Sequence, residues 1–277
     1  MQASQPIGVF DSGVGGLSVL RALRAELPRE HFVYFADSGH APYGERDDSH
    51  VIVRSRAVTA ALLAGYGIKA LVIACNTATA AAVHLLRTEH PDLPIVGVEP
   101  ALKPAVGLSI THHIGVMATR GTLGSAKFTA LLASLAGLAT FTLQSCDGLA
   151  DAIERQDSSR LVALCDQYTR GMGPFGTQNG QIDTLVLGCT HYPFAAECLQ
   201  AHAGPQVRLI DTGEPVARHT HQLLQTRHIP LQPAGTASEH ADAHPALLTL
   251  VSSGPPQVLE AAAARWLGLA LPVHASA

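Results

Sequence analysis

Apolar residues in this chain come in short runs separated by stretches of mixed polarity. IGVF from Ile7, FVYFA from Phe32, ALVIA from Ala70, PIVGV from Pro94, HIGVMA from His113, TLVLG from Thr184 and VRLID from Val207 read as strands. Amphipathic stretches between them read as helices: Leu17 to Leu27 after a glycine turn, Ala78 to Arg87 after a polar turn, and Leu149 to Tyr168 with an interruption. Short apolar strands alternating with amphipathic helices are the pattern of an α/β fold with largely parallel sheets.

The pattern also repeats. Laid over one another, Ile68–Leu85 and Ile182–Leu199 agree at Ile68 with Ile182, Leu71 with Leu185, Val72 with Val186, Cys75 with Cys189, Ala81 with Ala195, Ala82 with Ala196 and Leu85 with Leu199. Upstream, IGVFDSGVGGLS from Ile7 resembles IGVMATRGTLGS from Ile114, in the same order. Two strand ends recurring in sequence predict a duplicated unit. The expected architecture is two similar open α/β domains related by a pseudo-twofold axis, with the active site in the cleft between them. Residues 1–98 with 210–277 form the first domain and 99–209 the second. VARHTHQLL and VLEAAAARWLGLAL would return to the first domain as helices. LQPAGTASEHADAHPAL, between them, reads as an exposed loop.

Composition narrows the function classes. The chain has 277 residues, 47% hydrophobic, enough for a substantial core. Lys and Arg total 18 against 22 for Asp and Glu, a net charge of -4, which gives no footprint for nucleic acid or an anionic membrane. A small-molecule ligand is expected. The start, MQASQPIGVF, lacks the form of a signal peptide, and no apolar run reaches membrane-spanning length, so a cytoplasmic protein is expected. Five cysteines without CxxC spacing fit a reducing compartment. His112-His113 and His219-x-His221 form no recognised ligand set, so no metal is expected.

Cys75 and Cys189 carry the candidate chemistry. Each ends a buried strand and is followed by polar residues, Asn76-Thr77 in one half and Thr190-His191 in the other. In open α/β sheets ligands bind beyond the carboxyl ends of the strands, so both thiols should face a cleft. Two equivalent thiols from two facing units suit inversion of a stereocentre: one removes a proton from one face, the other supplies a proton to the opposite face. Asn76, Thr77, Thr190 and the amides that start the following helices are candidates to favour the thiolate. The turn Asp11-Ser12-Gly13 offers its amides to a substrate carboxylate, and Asp11 offers a carboxylate to the substrate ammonium. Gly13, Gly15 and Gly16 let the backbone approach closely, but Ser18 stands where a dinucleotide fingerprint needs glycine. Cys146, Cys165 and Cys198 read as space-filling thiols.

DSGVGGLSV from Asp11, ADSGHAPYGER from Ala36, ACNTATA from Ala74, VEPA from Val98 and LGCTHYP from Leu187 together resemble glutamate racemase, a branch of the aspartate/glutamate racemases. The resemblance implies a cofactor-independent isomerase that supplies D-glutamate for peptidoglycan, with no cofactor and commonly a homodimer. It also implies catalytic Cys75 and Cys189, assisted by Asp11 and His191. Substrate contacts are implied from Asp11, Ser12, Pro42, Tyr43, Gly44, Asn76, Thr77, Thr190 and His191, and from a hydroxyl-bearing loop with Thr119 and Thr122. Asp37 and Glu154 resemble further acidic residues of the site. The family often has Cys-Pro ahead of that glutamate, where this chain reads Cys146-Asp147. The rivals are a sister racemase acting on aspartate or another amino acid, a cysteine hydrolase using Cys189 with His191, and a non-catalytic amino-acid-binding module.

Overall fold

The computed structural model describes residues 2–233 and 247–276; of the expected exposed loop, residues 234–246 lie outside the described ones. The first half runs β1 (Ile7–Asp11), α1 (Leu17–Glu26), β2 (Phe32–Ala36), α2 (Asp48–Tyr66), β3 (Ala70–Ile73), α3 (Asn76–Glu89), β4 (Ile95–Gly97) and α4 (Leu102–Leu108). The middle of the chain runs β5 (His113–Ala118), α5 (Arg120–Leu123), α6 (Ala126–Ala133), β6 (Thr140–Ser145), α7 (Leu149–Glu154), α8 (Ser158–Met172), β7 (Thr184–Gly188), α9 (Ala196–Ala203) and β8 (Arg208–Ile210). The remainder is α10 (Gly213–Thr226), β9 (Leu248–Ser252), α11 (Pro256–Leu267) and β10 (Val273–Ala275).

Two all-parallel sheets result, one ordered β10-β9-β2-β1-β3-β4 and the other β6-β5-β7-β8. The repeat in the sequence is a repeat in register. Ile7 pairs with Ala70 and Ile114 with Thr184; Leu71 pairs with Ile95 and Leu185 with Leu209. Each pair in one sheet overlays its counterpart in the other, so β2-β1-β3-β4 and β6-β5-β7-β8 are the same four-strand unit. The α/β fold with two parallel-sheet units is therefore as expected.

Side chains alternate across each sheet, as a pleated strand requires. Ile7, Val9, Tyr34 and Val72 pack under α1, α10 and α11, while Phe10, Val33, Leu71 and Ile73 pack under α2 and α3. In the smaller sheet Ile114, Val116 and Val186 face α4 and α6, and Met117, Leu185 and Leu187 face α7, α8 and α9. Both faces are covered, which is why the central strands read as uninterrupted apolar runs.

Three strands went unanticipated. Thr140–Ser145 is an edge strand, half exposed and rich in polar residues, so it lacks the apolar signal of a buried strand. Leu248–Ser252 and Val273–Ala275 extend the larger sheet at its other edge, so the C-terminal return supplies strands as well as the two helices expected there. Among the described residues, no helix is long and apolar enough to cross a membrane.

Candidate active site

The carboxyl ends of β1, β3 and β7 meet at a cavity of ≈ 320 Å³. Cys75 and Cys189, one from each sheet, both line it. So do Ser12, Pro42, Tyr43, Gly44, Asn76 and Thr77 from the first half, and Thr119, Glu154, Thr190 and His191 from the second. Asp11 and Thr122 are not in the wall: each sits behind it, reaching it through hydrogen bonds.

Cys75 caps α3. Its backbone is extended, and its Sγ accepts the Ala78 amide at 3.4 Å. One helix-start amide thus favours the thiolate, as expected. Burial is the larger influence, and the nearby Asp11 carboxylate adds to it, so the Cys75 pKa is pushed above the ordinary thiol range. Of the three side chains expected to help stabilise the thiolates, Thr77 and Thr190 are engaged elsewhere. Thr77 Oγ1 lies 3.0 Å from Thr119 Oγ1, and Thr190 Oγ1 donates to Asp11 Oδ2 at 2.8 Å. The Asn76 side-chain amide, buried in the wall, has no protein partner.

Each thiol leads to a carboxylate through one intermediary. Cys75 Sγ donates to Ser12 Oγ at 3.9 Å, and Ser12 Oγ donates to Asp11 Oδ1 at 3.3 Å. Cys189 Sγ lies 3.7 Å from His191 Nδ1, and His191 Nε2 donates to Glu154 Oε1 at 2.7 Å. Burial works against charge on His191, but its hydrogen bonds to Cys189 and Glu154, and their charge, hold its pKa well above the usual histidine range. Burial raises the Asp11 pKa, opposed by the His191 charge and by the Gly13 and Thr190 donors. Asp11 joins the two halves, because Thr190 belongs to the Cys189 loop; Ser18 Oγ also bonds the Thr190 carbonyl, at 2.8 Å.

The glycine turn does different work from that expected. The Gly13 amide donates to Asp11 Oδ1 at 2.7 Å and the Val14 amide to Glu154 Oε1 at 3.0 Å, so neither is free for a substrate carboxylate. A Cβ at Gly13 would overlap the Glu154 carboxylate, and one at Gly15 would overlap the His191 ring. These glycines receive side chains from the other half of the protein.

Asp37 is likewise displaced from its expected role: its carboxylate lies outside the cavity wall. It accepts Tyr43 Oη at 2.5 Å, both Arg54 Nε and Nη2 at 2.9 Å, and Ser253 Oγ at 2.7 Å. Burial alone would raise its pKa, but these donors outweigh burial and hold it below the ordinary carboxylate value. The group anchors the Tyr43 loop against the wall. Thr119 presents its expected hydroxyl in the wall and also caps a helix, its Oγ1 accepting the Thr122 amide at 3.2 Å.

Cys146, read as space-filling, lies in the cavity wall. Glu45, Asp151 and Arg155 also line it and were missed. All three are charged side chains in partly exposed segments; Glu45 accepts the Gly148 amide at 3.3 Å, and Arg155 Nε donates to Asp151 Oδ1 at 2.7 Å. Among the described residues no group of three or more His, Cys, Asp or Glu is placed to hold a metal ion.

The family model for Asp/Glu/Hydantoin racemase matches residues 7–220. The chain belongs to the Asp/Glu/Hydantoin racemase family. Among its racemase relatives, a glutamate racemase of Ralstonia nicotianae is 50% identical over 239 residues, 86% of this chain and 83% of the relative. One from Stutzerimonas stutzeri is 49% identical over 226 residues, 81% and 83% of the two chains. Solved racemase structures agree along the whole fold. A glutamate racemase isoform from Bacillus anthracis has a TM-score of 0.83 at 29% identity, covering 100% of this chain and 98% of that one. The Escherichia coli glutamate racemase in complex with L-glutamate and the activator UDP-MurNAc-ala has a TM-score of 0.81 at 28% identity, covering 98% and 97%.

Proposed function

We propose that this chain interconverts L-glutamate and D-glutamate by two-base proton transfer between Cys75 and Cys189, without a cofactor. The observation that carries this reading is that one thiol from each copy of a duplicated four-strand unit lines a single cavity. With the substrate α-carbon between them, one thiolate takes the α-proton and becomes a thiol. The other thiol gives its proton to the opposite face and becomes the thiolate, so the reverse reaction starts with the roles exchanged. Cys189 is assigned to L-glutamate and Cys75 to D-glutamate, as the resemblance implies.

Both relays serve the thiols. His191, held cationic by Glu154, favours the Cys189 thiolate. Ser12 links Cys75 to Asp11, whose raised pKa lets it share the proton. Substrate carboxylates would be received mainly by neutral donors, since Arg155 is the one Lys or Arg in the wall among the described residues. The unpartnered Asn76 side-chain amide supplies such a donor.

A cysteine hydrolase needs Cys189 and His191 but gives Cys75 no task, and for that reason we set it aside. The same family reading assigns the product to peptidoglycan synthesis, the protein to the cytoplasm and its assembly to a homodimer. The repeat in the sequence divides the chain into two domains, with crossovers near Glu99 and Pro100 and again near Leu209 to Thr212, in keeping with the strands each sheet recruits. The test is turnover: L-glutamate incubated with the protein should lose its optical rotation, and Cys75→Ser and Cys189→Ser should each abolish this while retaining the fold. A folded wild-type protein that leaves L-glutamate unchanged would refute the proposal, and aspartate turning over instead would move it to the sister activity.

A further inference from the structure

Tyr34 lies on β2, fully buried beneath the glycine turn, and does not line the cavity. Its hydroxyl donates to the Gly13 carbonyl at 2.7 Å. That carbonyl belongs to the same peptide group as the Val14 amide, which donates to Glu154 Oε1 at 3.0 Å. Glu154 Oε1 in turn accepts from His191 Nε2 at 2.7 Å, and His191 Nδ1 faces Cys189 Sγ at 3.7 Å. An unbroken line of polar contacts therefore runs from a phenol in the larger sheet, through one peptide plane, to the thiol of the smaller sheet.

The three glycines of the turn are fitted to this line. At Gly16 a Cβ would come within 2.9 Å of the Tyr34 hydroxyl and 2.7 Å of Asp11 Cβ. At Gly13 it would overlap Glu154, and at Gly15 His191. Each missing side chain makes room for one member of the relay. We propose that Tyr34 is a positioning residue for the racemase reaction: through the Gly13–Val14 peptide it fixes Glu154 and His191, and so sets the reactivity of Cys189 far more than that of Cys75. Hydrogen bonds in such a chain polarise one another, so a hydroxyl on the Gly13 oxygen strengthens the Val14 amide as a donor. The inference rests on the racemase reading, but its main readout does not depend on turnover.

Tyr34→Phe removes the hydroxyl and keeps the ring. Alkylation of each cysteine by iodoacetamide, followed by peptide mapping, reports the two thiols separately. Cys189 is expected to react about tenfold more slowly in Tyr34→Phe while Cys75 keeps its rate, because a single lost hydrogen bond is worth about that factor. For glutamate, kcat should fall by a similar factor with KM within about twofold. In a Glu154→Gln background the Phe substitution should slow Cys189 no further, since Tyr34 acts through Glu154.

Site-specific 3-fluorotyrosine at position 34, which keeps the hydroxyl, should retain the wild-type pattern. Thr59→Val removes another buried hydroxyl, on α2, and controls for lost stability alone; it should alter neither thiol. Equal slowing of both thiols, an unchanged Cys189, further slowing on Glu154→Gln, or a loss with 3-fluorotyrosine as large as with Phe would each overturn the proposal. Wild-type protein without turnover but with the expected Cys189 response would refute the racemase reading, and with it the catalytic role of Tyr34, while leaving the link from Tyr34 to Cys189 standing.

Discussion

Adding one methyl group at Gly15 should disable the enzyme without touching either thiol. A Cβ there would lie 2.5 Å from His191 Cε1 and 2.6 Å from its Cγ. Carbon atoms rest at about 3.5–4.0 Å, so the imidazole must withdraw by roughly 1 Å. It has little freedom to do so. Its Nε2 is held at 2.7 Å from Glu154, and its Nδ1 is already 3.7 Å from Cys189 Sγ. A displacement of about 1 Å at a catalytic group costs on the order of 100-fold, which is the fall in kcat expected of Gly15→Ala. The overpacking should also destabilise by about 1–3 kcal/mol, a loss visible in Tm but too small to unfold the domain at 25 °C. Initial rates of D-glutamate formation at saturating L-glutamate, with calorimetry on the same samples, separate the two effects. Gly65→Ala is the control: no atom lies within 4 Å of its Cβ position, and α2 should gain roughly 0.5–1 kcal/mol with no change in rate. Wild-type kcat in folded Gly15→Ala protein would refute the claim that this turn is shaped around His191.

Asn76 and Asp37 test opposite ideas about buried polar groups. Asn76→Leu removes an amide that has no protein partner, so Tm should hold or rise while KM for glutamate increases about tenfold, measured by steady-state kinetics. Asp37→Asn removes the charge that binds Arg54 and Tyr43, and should cost ~2 kcal/mol at neutral pH and raise KM through the Tyr43 loop. Because the folded pKa of Asp37 is depressed, its stabilising contribution is complete above the ordinary value of 3.8 and is lost as pH falls through the lower folded value. The gap in Tm between wild type and Asp37→Asn should therefore be constant above about pH 5 and close in acid below 3.8; a gap independent of pH would contradict the assignment.

The parts of this fold that could be read from the sequence are those where one strand's own residues carry the signal. β1, β3, β5 and β7 are buried on both faces, so their composition announces them, and the duplicated Cys75 and Cys189 could be paired by letters alone. The edge strand Thr140–Ser145 could not, because its neighbours, rather than its own residues, make it a strand. The site divides the same way. Residues that follow a strand end, such as Ser12, Asn76, Thr190 and His191, were placed at the cleft by topology. What Asp37 and the glycine turn do depends on partners far away in the chain: Ser253 for Asp37, Glu154 for Gly13, His191 for Gly15. Nothing local distinguishes a glycine that admits a substrate from one that admits a histidine of the other half. Cys146 was misplaced for a related reason, since a buried thiol looks the same whether or not a cavity adjoins it.

The central claim is that two thiols, not one, handle the proton. It is tested by running the reaction on L-glutamate in heavy water and analysing the earliest turnovers by mass spectrometry, enantiomer by enantiomer. Free thiols exchange with solvent, so a donor distinct from the acceptor delivers deuterium. The account predicts D-glutamate carrying α-deuterium from the first turnover while the remaining L-glutamate stays protiated. Protium carried over into D-glutamate, or deuterium accumulating in L-glutamate ahead of inversion, would mean that a single base serves both faces and would contradict it.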